Sequence, residues 1–456
     1  MSLKNRLILM NFLQFFIWGA WLITIGSYWF QNKQWSGSEF GVIFSTMGIA
    51  SLFMPAIAGI IADRWINAEK LLGIFHIMGA LVLFSLPLVN DPTTFFWVML
   101  LNMIFYMPTI SLSITVAYSA LNSANMNVVR EYPPIRVYGT IGFIVAMWMV
   151  SLLKIETSAM QFYVASAASL GLGIYAFTLP KCEVSKNRES KSLVETLGLK
   201  AFTLFKSSKM AMFFIFSMML GASLQLTNAY GDTFLHDFAK VGIYEDLLVI
   251  EYPAIVMSIS QMSETLFILA IPFFLKRFGI KKVMLISMVA WVLRFAFFGM
   301  GNPAELLWMI ILSNIVYGMA FDFFNISGSL FVETQTDSSI RASAQGVFMM
   351  MTNGFGAIFG SLVSGALIDK YFTLKFFDVN KLADYYQTTV DAEWIQNFIS
   401  KDNRILENGL LENPARVIEW GDVWMVFAAY SLVIAILFAI FFKHEHILEE
   451  VAEVNH

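Results

Sequence analysis

The stretch LILMNFLQFFIWGAWLITIGSYWF, Leu7 to Phe30, decides the fold. It carries no charged side chain and is longer than the roughly 20 residues a helix needs to cross a hydrocarbon core of about 30 Å. Basic residues Lys4 and Arg6 precede it, as they would precede a secretory signal. The run exceeds a signal's apolar region, however, and no small-x-small cleavage site follows it. A retained first transmembrane helix is expected. The rest of the 456-residue chain repeats the pattern: 58% of residues are hydrophobic and 14% charged, against about 25% charged in soluble domains. Lipid is the solvent that tolerates such a chain.

By the same length criterion about twelve spans are expected. The first six are Leu7–Phe30, Phe40–Ile61, Leu71–Val89, Phe95–Tyr118, Ile135–Leu153 and Phe162–Leu179. The second six are Ala211–Phe234, Leu247–Leu275, Val283–Met300, Leu306–Val332, Ala342–Ile368 and Val423–Phe442. Lys and Arg gather in one set of connections (Lys4, Arg6, Arg64, Lys70, Arg130, the cluster Lys181 to Lys209, Lys276, Arg277, Lys281, Lys282, Arg341 and Lys443), while the short opposite loops hold Lys33, Lys154 and Lys240. The positive-inside rule places both termini in the cytoplasm. Residues 1–180 read as one six-helix bundle, 181–209 as a basic cytoplasmic linker, and 210–456 as a second bundle. Residues 372–421 form a polar outer insertion in that second bundle. Tyr385, Tyr386, Trp394 and Phe398 in the insertion read as the apolar face of a surface helix, an external cap with no further function. Six spans, a basic linker and six more spans resemble the layout of major-facilitator transporters, with a site between the halves near the midplane. The expected fold is all-α and membrane-integral.

Charge at helix centre costs about 2.5–3.5 kcal/mol or more and needs a reason. Glu264 lies near the middle of the eighth span, in MSISQMSETLFIL, and Asp322 past the middle of the tenth, in VYGMAFDFFNISGS. Their side chains are too short to snorkel to an interface. They are either fixed in internal hydrogen bonds or protonatable on a wet path. Helical spacing favours the path: Gln225 and Asn228, Gln261 and Glu264, and Asp322 and Asn325 are pairs three apart, each on one face of its helix. Three such pairs suit a polar cavity better than helix–helix glue, which needs one or two. Arg136, Thr140 and Phe143 form an i, i+4, i+7 stripe at the start of the fifth span. Arg136 is compatible both with snorkelling and with the cavity. Arg294, in WVLRFAFFG, is read as snorkelling outward from the ninth span. Phe143, Tyr317 and Phe321 stand beside the polar stripes as rings for stacking on a planar group.

Other features are structural or negative. Gly59 to Arg64 closes the second span, with Asp63 and Arg64 available for capping and pairing. Gly356, Gly360, Ser364 and Gly365 are small residues for close helix approach. The five histidines have no metal-ligand spacing, no cofactor motif is present, and no phosphate loop or nucleophile elbow appears; ATP-driven transport and enzymatic activity are not expected. A net charge of −4 and the lack of a basic stripe argue against nucleic acid as a partner. Cys182 stands alone, so no internal disulfide forms.

GIIADR at 59–64 resembles the G-x-x-x-D-R signature of the major facilitator superfamily. Longer stretches are more specific: NFLQFFIWGAWLITIGSYWF, YPPIRVYGTIGFIVAMW, FFIFSMMLGASLQLTN, MSISQMSETLFILAIPFFL, YGMAFDFFNISGSLFVE and IRASAQGVFMMMTNGFG. Together they resemble bacterial permeases of the nucleoside:proton symporter family, nearly from end to end. The resemblance implies nucleoside uptake with protons across the inner membrane, and a cavity lined by Arg136, Thr140, Phe143, Gln225, Asn228, Gln261, Glu264, Tyr317, Phe321 and Asp322. Within that cavity Gln225, Asn228 and Arg136 are expected at the base and Thr140, Gln261 and Asp322 at the ribose. Phe143, Tyr317 and Phe321 are expected as walls, and Glu264 and Asp322 as the proton-coupling pair. Segment 372–421 is longer than expected for such permeases. Competing readings are a sugar permease of the same fold, an exporter of amphipathic compounds and a non-transporting nucleoside sensor. A functional monomer in the bilayer is expected, because the pathway lies within one chain.

Overall fold

The computed structural model describes residues 1–182, 199–241, 244, 247–337, 340–396 and 410–444. Most of the expected linker, and Phe398 of the outer segment, lie outside them. The helices of the first bundle are α1 (Leu3–Gly19), α2 (Gly37–Ala62), α3 (Ala68–Ser85), α4 (Pro92–Ser123), α5 (Val128–Leu152) and α6 (Met160–Ala176). Those of the second are α7 (Ser208–Asp237), α8 and α9 within Pro253–Met300, α10 (Leu307–Gln335), α11 (Ser343–Tyr371) and α12 (Trp420–Phe441). Gly279 breaks Pro253–Met300 at φ 76°, ψ 168°, a conformation that only glycine adopts without strain, so α8 spans 253–278 and α9 280–300. Among the described residues nine helices, that long one included, are apolar and long enough to cross a membrane.

Polar caps set where the helices start. Asp91 accepts from the Thr94 amide before α4, Asn127 from the Arg130 amide before α5, and Ser36 with Glu39 forms a capping box before α2, each satisfying amides that a first turn leaves unpaired. The cap at Asn127 corrects one boundary. Helix α5 begins about two turns earlier than hydropathy placed it, with Pro133 and Pro134 inside it, and Arg136 therefore sits well within the helix.

Small residues bring the helices together. Gly360 of α11 faces the Cα of Ala222 on α7, where an added methyl would sit 2.6 Å away, and Gly365 faces Gly37 and Gly41 of α2. The eleventh helix thus packs on its own bundle along one edge and on the other bundle along the next, as its small-residue spacing foretold. The α11 backbone widens into a π-helical stretch at Met350–Gly356, a distortion that often accompanies functional sites.

The outer segment is a small folded unit instead of a lone surface helix. Strands β1 (Thr373–Asp378) and β2 (Leu410–Ile418) pair antiparallel, Thr373 opposite Ile418, and a short helix, Val379–Tyr385, follows β1. Val379, Leu382, Tyr386, Ile395, Leu411 and Val417 form a separate apolar core, with Trp394 and Val241 packed on it. Expected as part of an all-α fold, this segment supplies its two-stranded sheet.

Candidate functional site

The start of α1, the start of α7 and the end of α12 lie on one face of the molecule, with Lys209 beside His444 there and Ser27 bonded to Asp232 at the other end; we call this the terminal face and its opposite the far face. A cavity of about 480 Å³ runs between α10 and α11 and is lined by Asp322, Asn325, Ser329, Glu333, Gln345 and Phe348, among others. Its α10 residues recur at i, i+3, i+7 and i+11, one stripe of the helix. From Asp322 to Glu333 that stripe climbs about 16 Å at 1.5 Å per residue. It ends at the terminal face, where Glu333 is 46% exposed and pairs with Arg341 at 2.9 Å. The cavity therefore links a mid-helix carboxylate to one side of the membrane.

The far face is shut by contacts between the bundles. Ser27 donates to the Asp232 carboxylate at 2.6 Å, both fully buried. Ser38 of α2 donates to Asp369 of α11 at 2.9 Å, and the Trp148 indole of α5 donates to Ser258 of α8 at 2.8 Å. Glu156, in the α5–α6 connection, meets His236 of α7 at 3.1 Å and accepts from the Ala254 amide at 3.0 Å. Burial acts to raise the Glu156 pKa, but the His236 imidazole and the Ser151 and Ala254 donors hold the carboxyl below its ordinary value. Glu156, Asp232 and His236 bring three ligand-type atoms within 4.8 Å of one another. Histidine spacing alone gave no sign of this, since the carboxylates come from two bundles. An imidazole between two carboxylates, tied by Ser27 and Ala254, accounts for the arrangement as an ion-paired network.

Asp322 lines the large cavity, and Phe321 lines a smaller one with Asn325, Trp291 and Asn353. Arg136, Thr140, Phe143, Gln225, Asn228, Gln261, Glu264 and Tyr317 are not in the lining of either. Three of them, Arg136, Glu264 and Tyr317, do approach one another and Asp322. Arg136 of the first bundle lies within charge range of Glu264 of the second, and Glu264 within charge range of Asp322 and of the Tyr317 hydroxyl. Tyr317 and Phe321, one turn apart on α10, stack with centroids 6.0 Å apart and planes 8° from parallel. Across the gap Phe143 stands edge-on to Trp18 at 6.5 Å, and the Arg136 guanidinium lies 4.0 Å over the Phe15 ring. The half-buried Arg136 guanidinium thus lies against the Phe15 ring and within charge range of the other bundle's Glu264.

Several buried polar atoms here have no hydrogen-bond partner among the described residues: Gln225 Oε1, Gln261 Oε1, Asp322 Oδ2 and the Trp18 indole nitrogen. Leaving such groups unsatisfied costs about 1–3 kcal/mol each, and a concentration of them marks a place built to receive polar atoms from elsewhere.

Sequence reasoning missed part of the first bundle's wall. Phe15, Trp18 and Tyr106 form a contiguous ring cluster there. The available signal was the Gln14, Phe15, Trp18 spacing on one face of the first span. It misread Arg294, which does not snorkel: it is 0% exposed inside the second bundle, held by Thr227, Ser260 and the Ser313 carbonyl. A window of mean hydropathy records only depth along the chain; which side of the helix met neighbours with acceptors was decided by packing.

The family model described as "Nucleoside H+ symporter" matches residues 1–447. The xanthosine permease of Escherichia coli K12 is 49% identical over 99% of this chain and 98% of its own length. The nucleoside permease NupG of the same organism is 46% identical over 98% of this chain and 97% of its own. The crystal structure of NupG superposes with a TM-score of 0.83, covering 98% of this chain and all of that one. A bacterial homologue of the lysosomal transporter Spinster, 14% identical with a TM-score of 0.65 over 99% of this chain and 96% of its own, shares the fold. The architecture is the major-facilitator fold, and the protein is a multi-pass membrane transporter, not an enzyme. The chain belongs to the nucleoside:proton symporter family.

Proposed function

We propose that this protein imports purine or pyrimidine nucleosides across the inner membrane together with protons, by alternating access, and that the terminal face is cytoplasmic. The basic residues concentrated on the terminal-side connections support that orientation. The observation that carries the reading is the convergence of Arg136 from one bundle with Glu264 and Asp322 from the other, at the depth where buried amide oxygens await donors. A nucleoside is neutral, flat at the base and rich in donors at the ribose. Gln225, Asn228 and Arg136 meet the base edge; Thr140, Gln261 and Asp322 meet the ribose hydroxyls. Phe143 and the Tyr317–Phe321 stack form the walls.

Accumulation of a neutral solute needs a coupled ion. One charge moved through 100 mV is worth about 2.3 kcal/mol, enough for roughly fiftyfold accumulation. Glu264 and Asp322 share the proton. Arg136 is the counter-ion that attracts a carboxylate only when it is ionised, so protonation alters the force between the bundles. The cavity open at the terminal face and the contacts closed at the far face correspond to the inward-facing state, and a single chain suffices.

Uridine uptake into proteoliposomes under an imposed proton gradient tests this. Asp322→Asn and Glu264→Gln are each expected to abolish accumulation, and survival of uridine counterflow in one of them identifies the coupling group. Full accumulation in both variants refutes the assignment. Competition by sugars with none by nucleosides supports a sugar permease, and binding without flux a sensor.

A further inference from the structure

The second bundle buries a cation to which the transport cycle as derived above gives no task. Arg294 of α9 is 0% exposed, and among the described residues no carboxylate lies within ion-pair distance of it. A desolvated guanidinium without an anion is costly, so its retention calls for a return. The contacts show what it holds. Nε donates to Thr227 Oγ1 on α7 at 3.2 Å. Nη1 donates to Ser260 Oγ on α8 at 3.3 Å and to the Ser313 carbonyl on α10 at 2.8 Å. The Ser313 hydroxyl returns a bond to the Arg294 carbonyl at 2.8 Å. The guanidinium also lies 4.6 Å from the centroid of the Tyr317 ring.

Each anchor adjoins a residue assigned to the solute. Thr227 precedes Asn228, Ser260 precedes Gln261, and Ser313 is one turn from Tyr317 on the same helix. Four helices meet at one planar fork. A guanidinium fixes its donors in a plane and also stacks on a ring, whereas an ammonium is a point charge that does neither. The Tyr317 ring is in turn stacked on Phe321, so the order of guanidinium, phenol and phenyl continues from Arg294 to the wall of the smaller cavity.

We propose that Arg294 is the positioning residue of the second bundle's share of the binding site. Its fork sets the relative rotation and depth of α7, α8 and α10, and thereby the places at which Asn228, Gln261 and Tyr317 meet the solute. The proposal rests on the nucleoside reading given above. It requires a guanidinium and not merely a positive charge.

The test is uridine counterflow in proteoliposomes without a proton gradient, measured as KM and maximal rate per folded transporter, with folding checked by size-exclusion profile and thermal midpoint. Arg294→Lys is expected to raise KM at least tenfold. Thr227→Val, which keeps the cation and removes one anchor, is expected to raise it a few-fold. Wild-type KM in folded Arg294→Lys overturns the proposal, as does a fall in rate that tracks the folded fraction at unchanged KM. If Arg294→Lys does not fold, Thr227→Val decides: raised KM supports the positioning role and unchanged KM overturns it. A wild-type protein that neither binds nor exchanges uridine overturns the nucleoside reading and this proposal with it. Exchange by wild type with unaltered variants overturns this proposal alone.

Discussion

Ser27→Ala removes one hydroxyl from the closed far face, and its effect on the transport cycle can be worked from geometry. The Ser27–Asp232 bond is 2.6 Å long and lies between two fully buried groups of opposite bundles. Hydrogen bonds to charged groups contribute about 1.5–3 kcal/mol. When the far face opens, both partners meet water, so nearly the whole of that amount weighs on the balance between the two states. At 1.4 kcal/mol per decade, the population open at the far face rises roughly tenfold to hundredfold. The structure is closed at the far face, so the state open there is the sensitive one to monitor. Ala229 suits this purpose, being 2% exposed with its carbonyl against Gly26. In a Cys182→Ser background, Ala229→Cys reacts with an impermeant maleimide added at the far face only while that face is open. Adding Ser27→Ala is expected to speed alkylation tenfold to hundredfold. A cysteine replacing Ala165, fully buried inside the first bundle, should not react faster, which separates gate opening from general loosening. An alkylation rate at Ala229→Cys within twofold of the Ser27 parent would refute the assignment of this contact as a closing element.

Two further predictions use the same readout. Gly26 packs so tightly on α7 that a methyl there would strike the Ala229 carbonyl oxygen and Thr233 Oγ1. Gly26→Ala should therefore raise far-face alkylation at Ser38→Cys and depress uptake while the thermal midpoint of the detergent-solubilised protein falls by only a few degrees; unchanged uptake contradicts this. The link through Glu156 sets a pH dependence. Its carboxyl is held below the ordinary carboxylate range in the closed state, so it supports closure above that range and the support is lost as pH falls through the lowered value. Divided by the rate of an exposed cysteine measured at the same pH, which removes the loss of thiolate in acid, far-face alkylation should stay flat from pH 7 to about 5 as far as Glu156 is concerned and climb only below the ordinary carboxylate range. In Glu156→Gln that acid-side climb should vanish, and its persistence there would remove Glu156 from the gate.

Much of this molecule could be read from composition and spacing because lipid enforces simple rules. An apolar run such as Leu7–Phe30 has few alternatives to a spanning helix, since backbone polar groups must be satisfied within the segment. A carboxylate in MSISQMSETLFIL or VYGMAFDFFNISGS demands an explanation on energetic grounds alone. Small residues at Gly356, Gly360 and Gly365 announced close helix contact. The i, i+3 pairs named polar helix faces, although not what they face.

What the chain alone could not settle depends on which helices become neighbours. Arg136 and Arg294 have the same sequence signature, a guanidinium in an apolar helix. One is half-buried against Phe15 within range of Glu264; the other is sealed among Thr227, Ser260 and Ser313. Likewise the far-face closure joins Ser27, Glu156, Asp232 and His236, which lie far apart along the chain and carry no shared spacing. Sequence thus determined the solvent, the spans and the cost of each buried charge, because those depend on residues close along one helix. Partner, gate and open side were decided by tertiary structure, because a buried polar group takes its meaning from the donors and acceptors that other helices bring to within about 3 Å of it.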